Sequence, residues 1–216
     1  MTELDLLQSE YQQSRTAEKG LPYLKRALEG GTLDAERIKL AAYLGEPAAI
    51  AHLGGRVPPS ADDVREWING LGDFGHEAAV RAALAVARNL QREQSPKASA
   101  ARAVQAARTW VLERSEPALQ ECVEAAKLAF ASAYGDSEES DQMRELVHDT
   151  AVSVDSVALA CCYAAQAACE PTPDRAAAIA SLTAFTSNDV SEDQLRAWVR
   201  EDLTRWALEL GDPLRD

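Results

Sequence analysis

Strand patterns are what this chain most plainly lacks. Nowhere do valine, isoleucine, threonine and aromatics alternate with polar residues over a run long enough to make one, which rules against a sheet-based core. Histidine is scarce, with three in the chain. The four cysteines, Cys122, Cys161, Cys162 and Cys169, make no C-x-x-C spacing and are read as small, reduced core residues. There is no G-x-S-x-G and no P-loop, and His76-Glu77 lacks the second histidine of H-E-x-x-H. Gly70-Leu-Gly72 with Gly75 lacks the preceding strand of a dinucleotide fingerprint, so these glycines read as helix stops. A fixed repeat period is missing too, which excludes consensus repeats such as TPR or ankyrin. No positively charged, apolar leader opens the sequence, so the expected location is the cytoplasm.

Basic charge is the other shortage. Lysine and arginine number 22 against 35 aspartate and glutamate, a net −13. The deficit is one-sided: residues 1–108 hold 14 acids and 14 bases, and residues 109–216 hold 21 and 8. Such a field repels nucleic acid and anionic membrane and attracts a basic partner. Its plainer reading is solubility. The arginines Arg81, Arg88, Arg92, Arg102 and Arg108, set among acids such as Glu77 and Glu93, read as an ordinary solvated face and not a nucleic-acid stripe.

Alanine is what the chain has most of: 41 residues, about a fifth, which favours helix throughout. From Ser156 to Cys169 no side chain is charged. A helix apolar on every side must be enclosed on every side, and this run is too short to cross a bilayer. It is therefore read as the central helix, about 155–169, of an all-α antiparallel bundle or short α-solenoid of some 10–11 helices.

The other helices follow from caps and stops. Thr2 with Asp5 caps a first helix, which Gly20 stops; Pro22 opens a second, ended by Gly30-Gly31. Thr32 or Asp34 caps a third, and Pro47 starts a short fourth over Ala48–Leu53. Arg56-Val-Pro-Pro-Ser60 divides a small subdomain, 1–55, from a main domain, 60–216, because two prolines cannot continue a helix. Ser60 with Asp63 opens a fifth helix carrying Trp67, and a long sixth spans Gly75–Gln94. A seventh, about Lys97–Glu113, turns Ala101, Val104, Ala107 and Val111 inward, with Trp110 at its edge. The eighth begins at Ser115 and Pro117 and should bury Leu119, Cys122, Val123, Ala126 and Phe130. A helix from about Ser140 leads into the central one. Asp174–Phe185 and a last helix opened by Ser191 and Gln194 complete the set. The tryptophans are read as core anchors, Trp110 and Trp198 lying nearest the edge.

Two constellations stand out. Glu145-Leu-Val-His148 puts a carboxylate and an imidazole on one helix face, the spacing of di-iron bundles, but those need it twice and no second copy exists. No metal, cofactor or catalytic residue is therefore expected. The acidic stretch is the stronger signal. Glu113, Glu116, Glu121 and Glu124 lead into Asp136, Glu138, Glu139, Asp141, Glu145 and Asp149, with Asp155 beyond. Carboxylates so concentrated steer a cationic protein into encounter and pair with its arginines and lysines. These ten residues, Glu113 to Asp149, are the expected partner-binding face.

The segment from Leu24-Lys-Arg-Ala-Leu-Glu to Leu40-Ala-Ala-Tyr-Leu-Gly45, and the closing Val199-Arg-Glu-Asp-Leu-Thr-Arg-Trp-Ala-Leu208, resemble alanine-rich bacterial proteins of myxobacterial type. Trp67 with Ala82-Ala-Leu-Ala-Val-Ala-Arg88, and Ala106-Ala-Arg-Thr-Trp110, are similar to proteins labelled immunity proteins of polymorphic-toxin systems. The resemblance implies a non-enzymatic cytoplasmic protein that neutralises a toxin, and the acidic half fits a basic toxin domain such as a nuclease. A helical scaffold with no toxin partner, and a metal-dependent enzyme at Glu145 and His148, are the competing readings.

Overall fold

The computed structural model describes residues 2–94, 96–134, 154–187 and 189–215. Among them the chain folds entirely into helices and turns, with no strand, as the missing alternation requires. The helices are α1 (Glu3–Ser14), α2 (Ala17–Glu29), α3 (Ala35–Tyr43), α4 (Pro47–His52), α5 (Val64–Asn69), α6 (His76–Glu93), α7 (Ala98–Glu113), α8 (Glu116–Tyr134), α9 (Ser156–Cys169), α10 (Pro173–Phe185) and α11 (Glu192–Ala207), with a 3₁₀ turn at Gly70–Phe74 between α5 and α6. By its contacts the chain divides into two units, Met1–Asp62 with Val199–Asp216, and Asp63–Trp198. The first unit thus takes in a C-terminal segment that sequence alone grouped with 60–216.

In the first unit, Thr2 and Asp5 form the expected capping box, the Thr2 amide donating to Asp5 at 2.6 Å and the Asp5 amide to the Thr2 hydroxyl at 3.2 Å. Gly20 does not stop this helix. α1 ends at Ser14 because Arg15 turns left-handed at φ 50°, and α2 then runs straight through Gly20 and Pro22. Gly20 serves instead as a contact point: a Cβ there would stand 2.3 Å from the Ala48 Cβ and 2.7 Å from the Tyr11 ring. The C-terminal segment is tied in by side chains reaching its carbonyls. The Tyr23 hydroxyl donates to the Leu208 carbonyl at 2.6 Å and the Gln12 amide to that of Leu210 at 2.9 Å. Arg37 pairs with Glu209 and lies 5.1 Å over the Trp206 ring.

The second unit is built around α9, which packs against α6, α7, α8 and α10. Asp155 caps it, accepting from the Ala158 amide at 2.9 Å, and no residue of the helix is exposed. A charge-free rod enclosed by its neighbours is what the sequence predicts. α6 is nearly as enclosed, with every residue from Ala78 to Ala87 buried. That corrects the reading of Arg81 as solvated: it is 5% exposed, because its place on the helix lies between buried alanines.

α8 holds the largest departure. Its buried line is Ala118, Cys122, Ala125, Ala126, Ala129 and Ala133. Val123 and Phe130, expected inside, are 39% and 42% exposed, beside Leu128 at 45% and Tyr134 at 38%. α9, which packs against α8, is mostly alanine and cysteine, and small residues let helices pack more closely than branched or aromatic side chains permit. The bulky residues are left outside. Likewise Ala101 of α7 is exposed and Trp110, at 8%, is buried.

Candidate functional site

Four of the ten expected partner-binding carboxylates are described. Glu113 closes α7 and Glu116 opens α8, both exposed. Glu121 is held by Arg102 in a two-pronged pair, with Nε to Oε1 at 2.6 Å and Nη2 to Oε2 at 3.1 Å. The guanidinium keeps the Glu121 carboxyl below its ordinary value. Glu124 meets Lys127 of its own helix at 2.9 Å. Exposed pairs of this kind are held weakly, so an incoming cation can take the place of Arg102 or Lys127. Asp136, Glu138, Glu139, Asp141, Glu145, Asp149 and His148 lie outside the described residues. Among the described residues, no group of three or more histidine, cysteine, aspartate or glutamate side chains is placed to hold a metal ion.

Sequence reasoning missed what accompanies these acids. At 100° per residue Glu116, Val123, Phe130 and Tyr134 fall along one line of α8. The Phe130 and Tyr134 rings lie against each other, with centroids 4.8 Å apart and planes inclined at 48°. The line combines a carboxylate, an exposed apolar surface and an aromatic pair. The signal was legible only in part. Phe130 is apolar in either role, and its exposure follows from the alanines that displaced it.

A second constellation gathers at the start of α6. His76 is half-buried, its Nε2 3.1 Å from the Ala167 carbonyl at the end of α9, and its ring meets Trp110 edge-on at 4.9 Å. Burial pushes its pKa down. Glu77 sits between two guanidinium groups, Arg81 Nε at 2.8 Å and Arg114 Nη2 at 2.9 Å. Arg114, itself left-handed at φ 53°, also covers the Trp110 ring at 4.0 Å. Glu170 pairs with Arg175 at 3.0 Å. A carboxylate shared by two arginines is fixed in place from both sides, which suits anchoring. The cluster joins α6, α7 and α9, and explains why a buried arginine is tolerated in an alanine core.

Fold and site together define an all-helical protein with an alanine-packed core and an exposed aromatic and acidic helix face. No helix among the described residues is long and apolar enough to cross a membrane. The chain matches no protein-family model, no curated protein and no solved structure.

Proposed function

We propose that this is a non-enzymatic binding protein whose α8 face docks a basic protein partner, in the manner of an immunity protein that neutralises a cationic toxin domain. The observation that carries the reading is the outward line of Glu116, Val123, Phe130 and Tyr134. Aromatic residues supply the buried centre of protein contacts, and carboxylates around them select cations. The toxin connection rests on the resemblance of the helical segments to immunity proteins, and the one-sided charge of residues 109–216 supports a basic partner.

The experiment is co-expression with the products of adjacent genes and capture at low and high salt. Retention should fall as ionic strength rises, since exposed charge pairs are screened over about 8–10 Å. The double variant Phe130→Ser, Tyr134→Ser should lose the partner while keeping its helical content. Capture unaffected by both that variant and Glu116→Lys, Glu124→Lys would remove α8 as the docking face. A captured neighbour with no toxin activity would favour the scaffold reading.

A further inference from the structure

α8 lies at the edge of the second unit. Among the described residues it packs chiefly against α7 and α9, whereas α9 is covered by four helices. One flank of α8 is tied to α7, through the Arg102–Glu121 pair and through the Lys97 ammonium, which donates to the Ser132 carbonyl at 2.8 Å. On the open side, Glu116, Gln120, Val123, Lys127, Phe130 and Tyr134 follow one another at steps of four, three, four, three and four residues, and all six are exposed. This is the spacing by which one helix packs along another, with two positions in every seven residues at the contact. At 1.5 Å per residue the seam is roughly 27 Å long. Its apolar part, Val123, Phe130 and Tyr134, lies toward the C-terminal end of α8, and Glu116 puts a carboxylate at the other end.

We infer, resting on the docking role proposed for this face, that the seam receives an amphipathic helix of a basic partner. That helix lies along α8 with its apolar stripe on Val123, Phe130 and Tyr134 and with lysines or arginines beside Glu116 and Glu124. Spacing selects the helix. A partner helix repeats its own side chains at the same three- and four-residue steps, so one apolar stripe meets the three in turn. An added strand needs a row of free amides and carbonyls. Those of α8 are spent within the helix, and the described residues include no strand.

Charge selects its sign. On α8 the acids Glu116, Glu121 and Glu124 stand against Lys127 alone. Glu121 and Glu124 hold Arg102 and Lys127, while Glu116 meets no cation among the described residues. Exposed pairs of this kind exchange their partners readily. A second copy of the chain brings the same excess of acid, −13 over the whole sequence, and is repelled.

The probes are fluorescein-labelled synthetic peptides of about 18 residues, long enough to cover the seam. The first carries leucine at the two contact positions of a seven-residue repeat and lysine beside them. The second has glutamate in place of lysine, and the third has the composition of the first in an order that gives no apolar face. With the full chain at low salt, fluorescence anisotropy should report binding of the first peptide alone, with a gain of helix in circular dichroism. Phe130→Ser with Tyr134→Ser should weaken that binding by about tenfold or more. Val123→Lys, also on the exposed side, should do the same and serves as the second variant. Binding of the acidic peptide, equal binding of the scrambled one, or no effect of either variant would overturn the inference. So would a wild-type dimer in sedimentation that Phe130→Ser, Tyr134→Ser makes monomeric, since a second copy would then fill the seam. Failure of all three peptides, while the variants still release a captured neighbour, would overturn the helical ligand and leave the docking role standing. Retention of the neighbour by the variants would remove the docking role and its ligand together.

Discussion

Replacing Gly20 by alanine separates two opposed effects. On an open helix face the change stabilises by roughly 1 kcal/mol, because glycine costs about that much in a helix interior. Here the new methyl would lie 2.3 Å from the Ala48 Cβ and 2.7 Å from a Tyr11 ring carbon, more than 1 Å inside ordinary carbon contact in the first case. The Ala48 carbon is fixed to its backbone and cannot swing aside, so α2 and α4 must part. Opening a packed contact by about 0.5–1 Å forfeits a quarter to a half of its dispersion energy, and overpacking costs typically about 1–3 kcal/mol. Clash exceeds propensity, and Gly20→Ala should destabilise the first unit by about 1–2 kcal/mol. Urea unfolding followed by circular dichroism reads this directly. Adding Ala48→Gly removes the nearest atom and should recover part of the loss, a coupling on the order of 1 kcal/mol. A Gly20→Ala protein as stable as wild type, or more so, would refute the close approach of these helices.

Two further predictions concern the second unit. Ala129→Leu forces a branched side chain into the α8–α9 contact and should cost about 1–3 kcal/mol, whereas Val123→Ser on the exposed face should stay within about 0.5 kcal/mol; thermal melts of the two variants in the reverse order would show the helix turned the other way. His76 titrates below its ordinary 6.5 in the folded protein because burial disfavours the charged ring, while Arg114, Glu77, Glu170 and Arg175 surround the cluster. The unfolded chain therefore binds the proton more tightly. The stabilisation is present above pH 6.5 and is lost as pH falls through the lowered value. Urea midpoints at pH 7.5 and 5.5 should differ more for wild type than for His76→Gln; equal differences would show that His76 contributes nothing.

Helical class, the caps and the enclosed central helix were written into the order of residues. The uncharged fourteen-residue run from Ser156 to Cys169 admits one reading, since an apolar cylinder needs cover on every side; its Asp155 cap came from the structure. Thr2 with Asp5, Thr172 before Pro173 and Ser191 before Gln194 are equally local, and each is in place. These features depend on neighbours three or four residues away, which sequence displays directly. The inward face of α8, the burial of Arg81 and the role of Gly20 depend on what another helix presents. The alanine- and cysteine-rich α9 packs against α8, whose alanines are buried while Phe130 is left to solvent; the helices around α6 enclose Arg81, whose guanidinium is met by Glu77 one turn earlier. Hydrophobicity marks a side chain as able to be buried, but only the size and charge of its partner across the contact decide whether it is.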